Sequence, residues 1–130
     1  MIRIVTESMS DFTQEEAKAA DLIVMPLPIR FGMEEYWDDG VSLTQDDFYA
    51  RLRVAKELPK ASQVPVEHYR KCFNRLLENP EDEVLVITGS SKLSGCYQSA
   101  CIAREACHDP ARVTVLDSLN ATCAEYMLVD

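Results

Sequence analysis

Short runs of apolar residues alternate along this chain with longer segments in which apolar positions recur every three or four residues. The short runs are almost continuously apolar, which is typical of strands buried on both faces of a sheet. The longer segments have the spacing of helices that bury one side. The pattern predicts strands at residues 2–5, 22–27 and 113–116, and a further strand that begins at residue 84.

Two helix starts are marked by a threonine that is followed three residues later by an acidic residue. Thr13 and Glu16 have the form of a capping box, in which the hydroxyl accepts from a first-turn amide and the carboxylate accepts from the threonine's own amide. Thr44 and Asp47 repeat this spacing. These signals predict helices that end near residues 20 and 55.

Three further helices are predicted from their apolar positions. One face is large and hydrophobic, and consists of Val66, Tyr69, Phe73, Leu76 and Leu77. A second face is small enough to pack close to a sheet, and consists of Cys96, Ala100, Ala103 and Cys107. The last predicted helix begins near Ala121.

The pattern changes between residues 28 and 65. Segments 29–31 and 35–37 are separated by three residues that include Gly32, which favours a small β-hairpin. Two prolines hold residues 58–65 extended, so a loop is predicted there. Taken together, the alternation predicts one α/β domain over residues 1–130, with a parallel sheet, right-handed crossovers, helices on both faces and the hairpin.

Charge and cysteine content narrow the class of protein. The 130 residues carry a net charge of −9, which disfavours docking on nucleic acid or on an anionic membrane surface. No apolar run approaches the roughly 20 residues that a membrane span needs. Five cysteines without a Cys-x-x-Cys pair indicate neither a disulfide framework nor a metal site, and no cofactor is predicted. We therefore expect a cytoplasmic protein with reduced thiols.

The strand that begins at Val84 runs through a Ser/Gly turn directly into a helix. Ligands of open α/β sheets bind at the carboxyl ends of strands, where the first amides of the next helix lack partners and carry partial positive charge. Ser94 and Gly95, with Lys92 nearby, are therefore a candidate oxyanion site. The motifs of a P-loop and of a dinucleotide fold are both missing. In the simpler interpretation, Ser94 only caps the helix.

Two other positions carry reactive or titratable side chains. Cys96 opens the predicted helix, where a thiol can become nucleophilic, so a thiol-dependent enzyme is one alternative to simple core packing. No histidine or carboxylate is placed to act as its base. Glu7 and Asp11 follow the first strand, which gives weak support for a metal site or an acid–base pair. No catalytic residue is predicted, and the favoured interpretation is not an enzyme.

The order of five segments resembles the amino-terminal domain of the DegV family of fatty-acid-binding proteins. The segments are IRIVTESMSDF, VMPLPIRFGMEEYWDDGVSLTQDDFYARL, LPKASQVP, VLVITGSSKLSGCYQSA and VTVLDS. The resemblance implies a two-domain carrier of one long-chain fatty acid, with the acyl tail in an apolar tunnel. It implies that the Ser94 hydroxyl and the Gly95 amide hold the carboxylate. It also implies a partner, a kinase subunit that phosphorylates the bound acid.

The chain departs from the family pattern in several ways. The resemblance also implies that Ala61 and Ser62 of the predicted loop lie at the carboxylate site, where the family has a threonine in place of Ala61, so one hydroxyl is lost. The family's Asp-Ser is Glu7-Ser8, and Cys96 replaces a threonine. The second domain is absent, so we expect a fragment or short form with weakened binding and self-association through the uncovered face. A pure protein-interaction domain is a further alternative.

Overall fold

Strands and helices alternate along the whole computed structural model, which describes residues 1–130. All the predicted buried strands and helices are present, close to their predicted bounds. In chain order the elements are β1 (Ile2–Glu7), α1 (Gln14–Ala19), β2 (Ile23–Met25), β3 (Pro28–Phe31), β4 (Glu34–Trp37), α2 (Gln45–Val54), β5 (Lys60–Ala61), α3 (Val66–Leu76), β6 (Glu83–Thr88), α4 (Cys96–Ala106), β7 (Val113–Asp117) and α5 (Cys123–Val129).

The strands form two sheets. The main sheet has the order β2-β1-β6-β7 and is parallel throughout, as the sequence predicts. The second sheet is antiparallel, has the order β4-β3-β5 and contains the predicted hairpin. Its third strand corrects the prediction of a loop at residues 58–65, because Ala61 pairs with Ile29 of β3. A segment that prolines hold extended already has the backbone angles of a strand, so it needs only a partner edge to pair.

The order of the main sheet places a crevice between its two central strands. The β1–α1–β2 connection runs toward one edge of the sheet, and the β6–α4–β7 connection runs toward the other. Right-handed crossovers in opposite directions put α1 on one face and α4, with α3 packed against it, on the other. The direction in which successive strands are added across the sheet therefore reverses between β1 and β6. Such a switch point leaves an open crevice at the carboxyl ends of the two strands.

The core lies between the main sheet and the helix pair α3–α4. Tyr69 and Phe73 of α3 and Ala100 of α4 are completely buried, so the predicted faces of these two helices are confirmed. Helix α2 buries no residue, and Tyr49, predicted on its apolar side, is 48% exposed. None of the helices is both long and apolar enough to span a bilayer.

The starts of α1 and α2 follow the predicted capping chemistry. The Thr13 hydroxyl accepts from the Glu16 amide at 3.2 Å, and the Glu16 carboxylate accepts from the Thr13 amide at 2.9 Å. The Thr44 hydroxyl accepts from the Asp47 amide, also at 3.2 Å. Satisfying these otherwise unpaired amides fixes where each chain segment enters its helix.

Helix α5 is held against the carboxyl end of β1. The Tyr126 ring stacks on Phe12 with centroids 4.1 Å apart, and the Thr122 amide donates to the Met9 carbonyl at 3.0 Å. Val129, near the end of the helix, is buried. This docking brings the middle of α5 over the crevice between β1 and β6.

Candidate functional site

The turn between β6 and α4 lies at the switch-point crevice and is organised by Ser90. The Ser90 carbonyl accepts from the amides of Leu93 and Ser94 at 2.9 and 3.0 Å. Its hydroxyl accepts from the Lys92 amide at 3.2 Å, and its own amide donates to Asn120 at 2.8 Å. The turn is therefore tight, and it presents Ser94 immediately before the helix.

Ser94 caps α4 and still has a hydrogen to donate. Its Oγ accepts from the Cys96 amide at 3.2 Å, so it satisfies the first amide of the helix from the position before the N-cap residue, Gly95. A hydroxyl has one donor hydrogen and two acceptor lone pairs, so the bond from Cys96 uses only a lone pair, and the hydrogen can turn to a ligand or to the neighbouring Cys96 thiol. The amides of Gly95, Tyr97 and Gln98 donate to no acceptor within the chain. The helix start thus offers one hydroxyl and three amides to an anion.

A surface depression of about 620 Å³ lies over this turn. Lys92 is its only cationic side chain, and Leu93 contributes an aliphatic side chain that is 72% exposed. The lining residues are Ser91, Lys92, Leu93, Ser94, Gly95, Tyr97, Gln98 and Cys101. The site therefore suits a carboxylate, whereas it offers few apolar walls to a long hydrocarbon tail.

The structure brings the Lys-Ala-Ser-Gln segment next to the turn. A methyl group placed on Gly95 would lie 3.2 Å from Cδ of the Gln63 side chain. The Val64 amide donates to the Cys96 Sγ at 3.4 Å. Ala61 and Ser62 are exposed beside this contact, and the Ser62 hydroxyl forms no hydrogen bond. The two segments that the sequence predicts to form one site are therefore neighbours.

Cys96 is a core residue. Its side chain is completely buried, and burial raises the pKa of the thiol. A thiolate in the first helical turn would need the opposite shift and access to solvent. The geometry therefore supports the packing interpretation over a thiol-dependent enzyme.

Glu7 does not form a site with Asp11. Glu7 is completely buried, whereas Asp11 is exposed, and the structure instead sets Glu7 against Glu125 of α5. No group of three or more His, Cys, Asp or Glu residues is arranged to hold a metal. Sequence reasoning missed Glu125. The available signal was one acidic residue among the apolar residues of α5. A carboxyl group in such a position is buried only when it has a partner, so the sequence could have predicted that Glu125 meets another polar group.

A second cavity of about 770 Å³ lies between α1, the hairpin and α2. Its lining includes the carboxyl groups of Asp11, Glu15, Asp38 and Asp39. Burial raises the pKa of Asp38 and of Asp11 because it disfavours their charged forms. A lining of this kind repels a carboxylate. The turn before α4 is therefore the better site for an acidic ligand.

The sheet order, the crevice and the turn define an open α/β domain with a candidate anion site at the carboxyl edge of its sheet. Residues 1–130 match the family described as "Uncharacterised protein, DegV family". The chain belongs to the DegV family, as its segments indicate.

Several relatives share both sequence and fold with the chain. A DegV domain-containing protein of Caldanaerobacter subterraneus is 38% identical over 98% of this chain and 44% of its own length. A fatty acid-binding protein of Thermotoga maritima is 35% identical over 95% of this chain and 42% of its own length. The crystal structure of a stearic acid-binding protein from Eubacterium ventriosum superposes with a TM-score of 0.91 and 31% identity, over 100% of this chain and 45% of that one. The chain thus spans less than half the length of these relatives and corresponds to their amino-terminal part.

Proposed function

We propose that this chain is the head-group half of a fatty-acid carrier and holds the carboxylate at Ser94 and Gly95. The observation that carries the proposal is the set of unused donors at the start of α4. It is supported by the family, in which the relatives from Thermotoga maritima and Eubacterium ventriosum are described as binding fatty acids. With five free cysteines, the protein is expected to act in the reducing cytoplasm.

The chemistry of a bound fatty acid separates into two parts. Its carboxylate needs hydrogen bonds when water is removed, and the Ser94 hydroxyl and the Gly95 amide supply them. Ala61 supplies none, although the Ser62 hydroxyl next to it is unused. The tail contributes about 0.8 kcal/mol for each buried methylene. Because the depression has few apolar walls, we expect this 130-residue chain to bind a fatty acid more weakly than its longer relatives do.

Replacing Ser94 with alanine is expected to weaken palmitate binding by about tenfold or more, since a hydrogen bond to a charged group contributes about 1.5–3 kcal/mol. Ser94→Thr keeps a hydroxyl and should retain most of the affinity. Ser91→Ala is the matched control, because Ser91 lines the same depression but its amide already donates to Asp117 and is not one of the unused donors at the helix start. Binding to the delipidated protein would be measured by calorimetry and native mass spectrometry. Equal affinities for wild type and Ser94→Ala, or no binding by wild type, would contradict the proposal.

Presentation to a fatty-acid kinase is a further part of the proposal. The depression is open to solvent and exposes Lys92 and Leu93 beside the turn. A carboxylate held there would remain within reach of a phosphorylating partner. The thiol-enzyme alternative has no comparable support, because Cys96 is buried.

Apolar side chains that are exposed around the turn are expected to promote self-association. Leu93 is 72% exposed at the turn, and Leu58 is 82% exposed before β5. Exposed aliphatic side chains of this kind favour contact with another apolar surface. Sedimentation velocity should show association at high concentration that the double variant Leu93→Ser, Leu58→Ser reduces. Met127→Ser is the control, since Met127 is 78% exposed on α5. A wild-type protein that stays monomeric at every concentration would rule the face out.

A further inference from the structure

Two glutamates meet in the interior of this domain, directly beneath the candidate site. Glu7 ends β1 and Glu125 lies on α5, and both are completely buried. Neither carboxyl forms a salt bridge. Two ionised carboxylates in contact without a cation would be strongly destabilising. Their protonation is therefore tied to the fold around them.

The hydrogen bonds show where a proton is needed. The Glu7 carboxyl accepts from the Gly89 amide at 2.7 Å and from the Tyr69 hydroxyl at 3.5 Å. One oxygen of Glu125 accepts from the Thr6 hydroxyl at 3.2 Å, whereas its other oxygen, Oε2, is buried without a partner. A proton on Glu125 Oε2 turns that oxygen into a donor to Glu7. One shared proton thus satisfies the pair.

The first connection from the pair to the site runs through the backbone of the turn. Glu7 holds the amide of Gly89, and Gly89 precedes the Ser90 whose carbonyl accepts from Ser94. The space is tight, because a Cβ on Gly89 would lie 3.0 Å from Glu7 Oε1 and 3.2 Å from Glu125 Oε2. A movement of either carboxyl group therefore moves Gly89, the residue that precedes the turn.

The second connection runs through side chains on the opposite side of Glu7. The Tyr69 hydroxyl lies between Glu7 and the thiol of Cys96. Cys96 in turn donates its amide to Ser94 Oγ and accepts from the Val64 amide with its sulfur. Glu7 is therefore joined to the head-group hydroxyl from two directions.

We propose that Glu7 and Glu125, which share one proton, are positioning residues for the Ser94 and Gly95 donors. This role rests on the proposed function of the turn. In the ligand-free protein, loss of the shared proton places two negative charges in one buried space. Glu7 then loses its hydrogen bond from Glu125, and the hydrogen bonds that it accepts from Gly89 and Tyr69 change in geometry. The donors at the turn shift with it.

The surroundings of the pair favour the protonated form. Burial raises the pKa of Glu125 to about 9, with Glu7 and then Asp11 adding to the effect. Burial also raises the pKa of Glu7. The titratable groups that face the pair are Tyr69 of α3, Cys96 of α4 and Asp11 after β1, and all of these are neutral or acidic. Burial and the Glu7 charge keep the pKa of Tyr69 well above its ordinary value, so its hydroxyl remains a donor.

The test is a nuclear magnetic resonance pH titration of the ligand-free protein between pH 6 and about 10. Side-chain carboxyl ¹³C signals report the protonation of Glu7 and Glu125. Carbon-detected backbone spectra report on Gly89, Ser94 and Gly95 without relying on exchanging amide protons. We expect the turn signals to shift with the midpoint of Glu125. In Glu125→Gln, which keeps a donor to Glu7 but does not ionise, that shift should vanish.

Tyr69→Phe separates the two connections. Removing the hydroxyl should leave the Gly89 shift in place and reduce the shift at Ser94 and Cys96. Three outcomes would overturn the proposal: a Glu125 midpoint near its unperturbed value, turn signals that ignore the Glu125 titration, or an unchanged transition in Glu125→Gln. These titrations contain no lipid, so their outcomes do not depend on whether the protein binds palmitate. The palmitate-binding measurements test the proposed function separately.

Discussion

Replacing Glu125 with glutamine is expected to flatten the pH dependence of this domain's stability. The pKa of Glu125 is about 9 in the folded protein, compared with about 4.3 in an unfolded chain. Between these values the folded state holds a proton that the unfolded state lacks. The free energy of unfolding therefore falls as pH rises, by about 1.4 kcal/mol for each pH unit.

The sign follows from the raised pKa. The stabilisation is fully present below about pH 4.3 and is lost as pH rises through the folded value. Between pH 6 and pH 8 we expect the wild type to lose on the order of 3 kcal/mol, which urea unfolding at several pH values would measure. Glutamine cannot ionise, and it offers an amide donor to Glu7 and a carbonyl acceptor to Thr6. Glu125→Gln should therefore be the more stable protein at pH 8.

The matched control is Glu105→Gln, which removes one carboxylate on the surface of α4. It removes the same carboxylate charge from the unfolded chain but leaves the buried pair intact, so its unfolding curves should follow the wild-type slope. Parallel slopes in wild type and Glu125→Gln would show that the acid pair does not carry the expected proton.

Replacing Phe73 with alanine is expected to lower the free energy of unfolding by about 3–5 kcal/mol. Phe73 is completely buried between α3 and the main sheet, where its ring lies 5.7 Å from that of Tyr69. Truncation removes the transfer energy of the ring and leaves a cavity that close-packed neighbours fill only in part. Since small domains are stable by about 5–15 kcal/mol, this single change would remove a large share of the total.

Tyr49→Ala provides the comparison for this core effect. Tyr49 is also an aromatic residue on a helix, but it is 48% exposed on α2. Its truncation should cost less than about 1 kcal/mol, as for surface changes in general. Urea midpoints for the two variants would locate the core. A loss at Tyr49 as large as that at Phe73 would mean that α2 is packed more tightly than its exposure indicates.

Local chemistry made most of the fold predictable. A capping threonine such as Thr13 bonds an amide within its own helical turn, so the start of the helix can be predicted from a few adjacent residues. Continuous apolar runs mark buried strands wherever they occur, and the small face of Ala100 and Ala103 marks a helix that packs closely. The position of Ser94 at a strand's carboxyl end follows from the same local order. Its assignment to a fatty-acid carboxylate came from the family resemblance.

Contacts between distant segments were not predictable in this way. The prolines at residues 59 and 65 predict extended backbone, but the edge of β3 decides that residues 60–61 become a strand. The sequence around Cys96 does not determine whether its thiol is buried or exposed. Only packing against α3 in the folded protein decides that it is buried.

The sequence by itself determined the order of strands and helices and the turn at the end of β6, because periodicity and capping act over a few residues. Only the tertiary structure decided that Glu7 meets Glu125 beneath that turn. The two residues lie at opposite ends of the chain, and the parallel sheet and the docking of α5 bring them together. A carboxyl group changes its charge in response to whatever surrounds it, and the surroundings exist only in the folded protein.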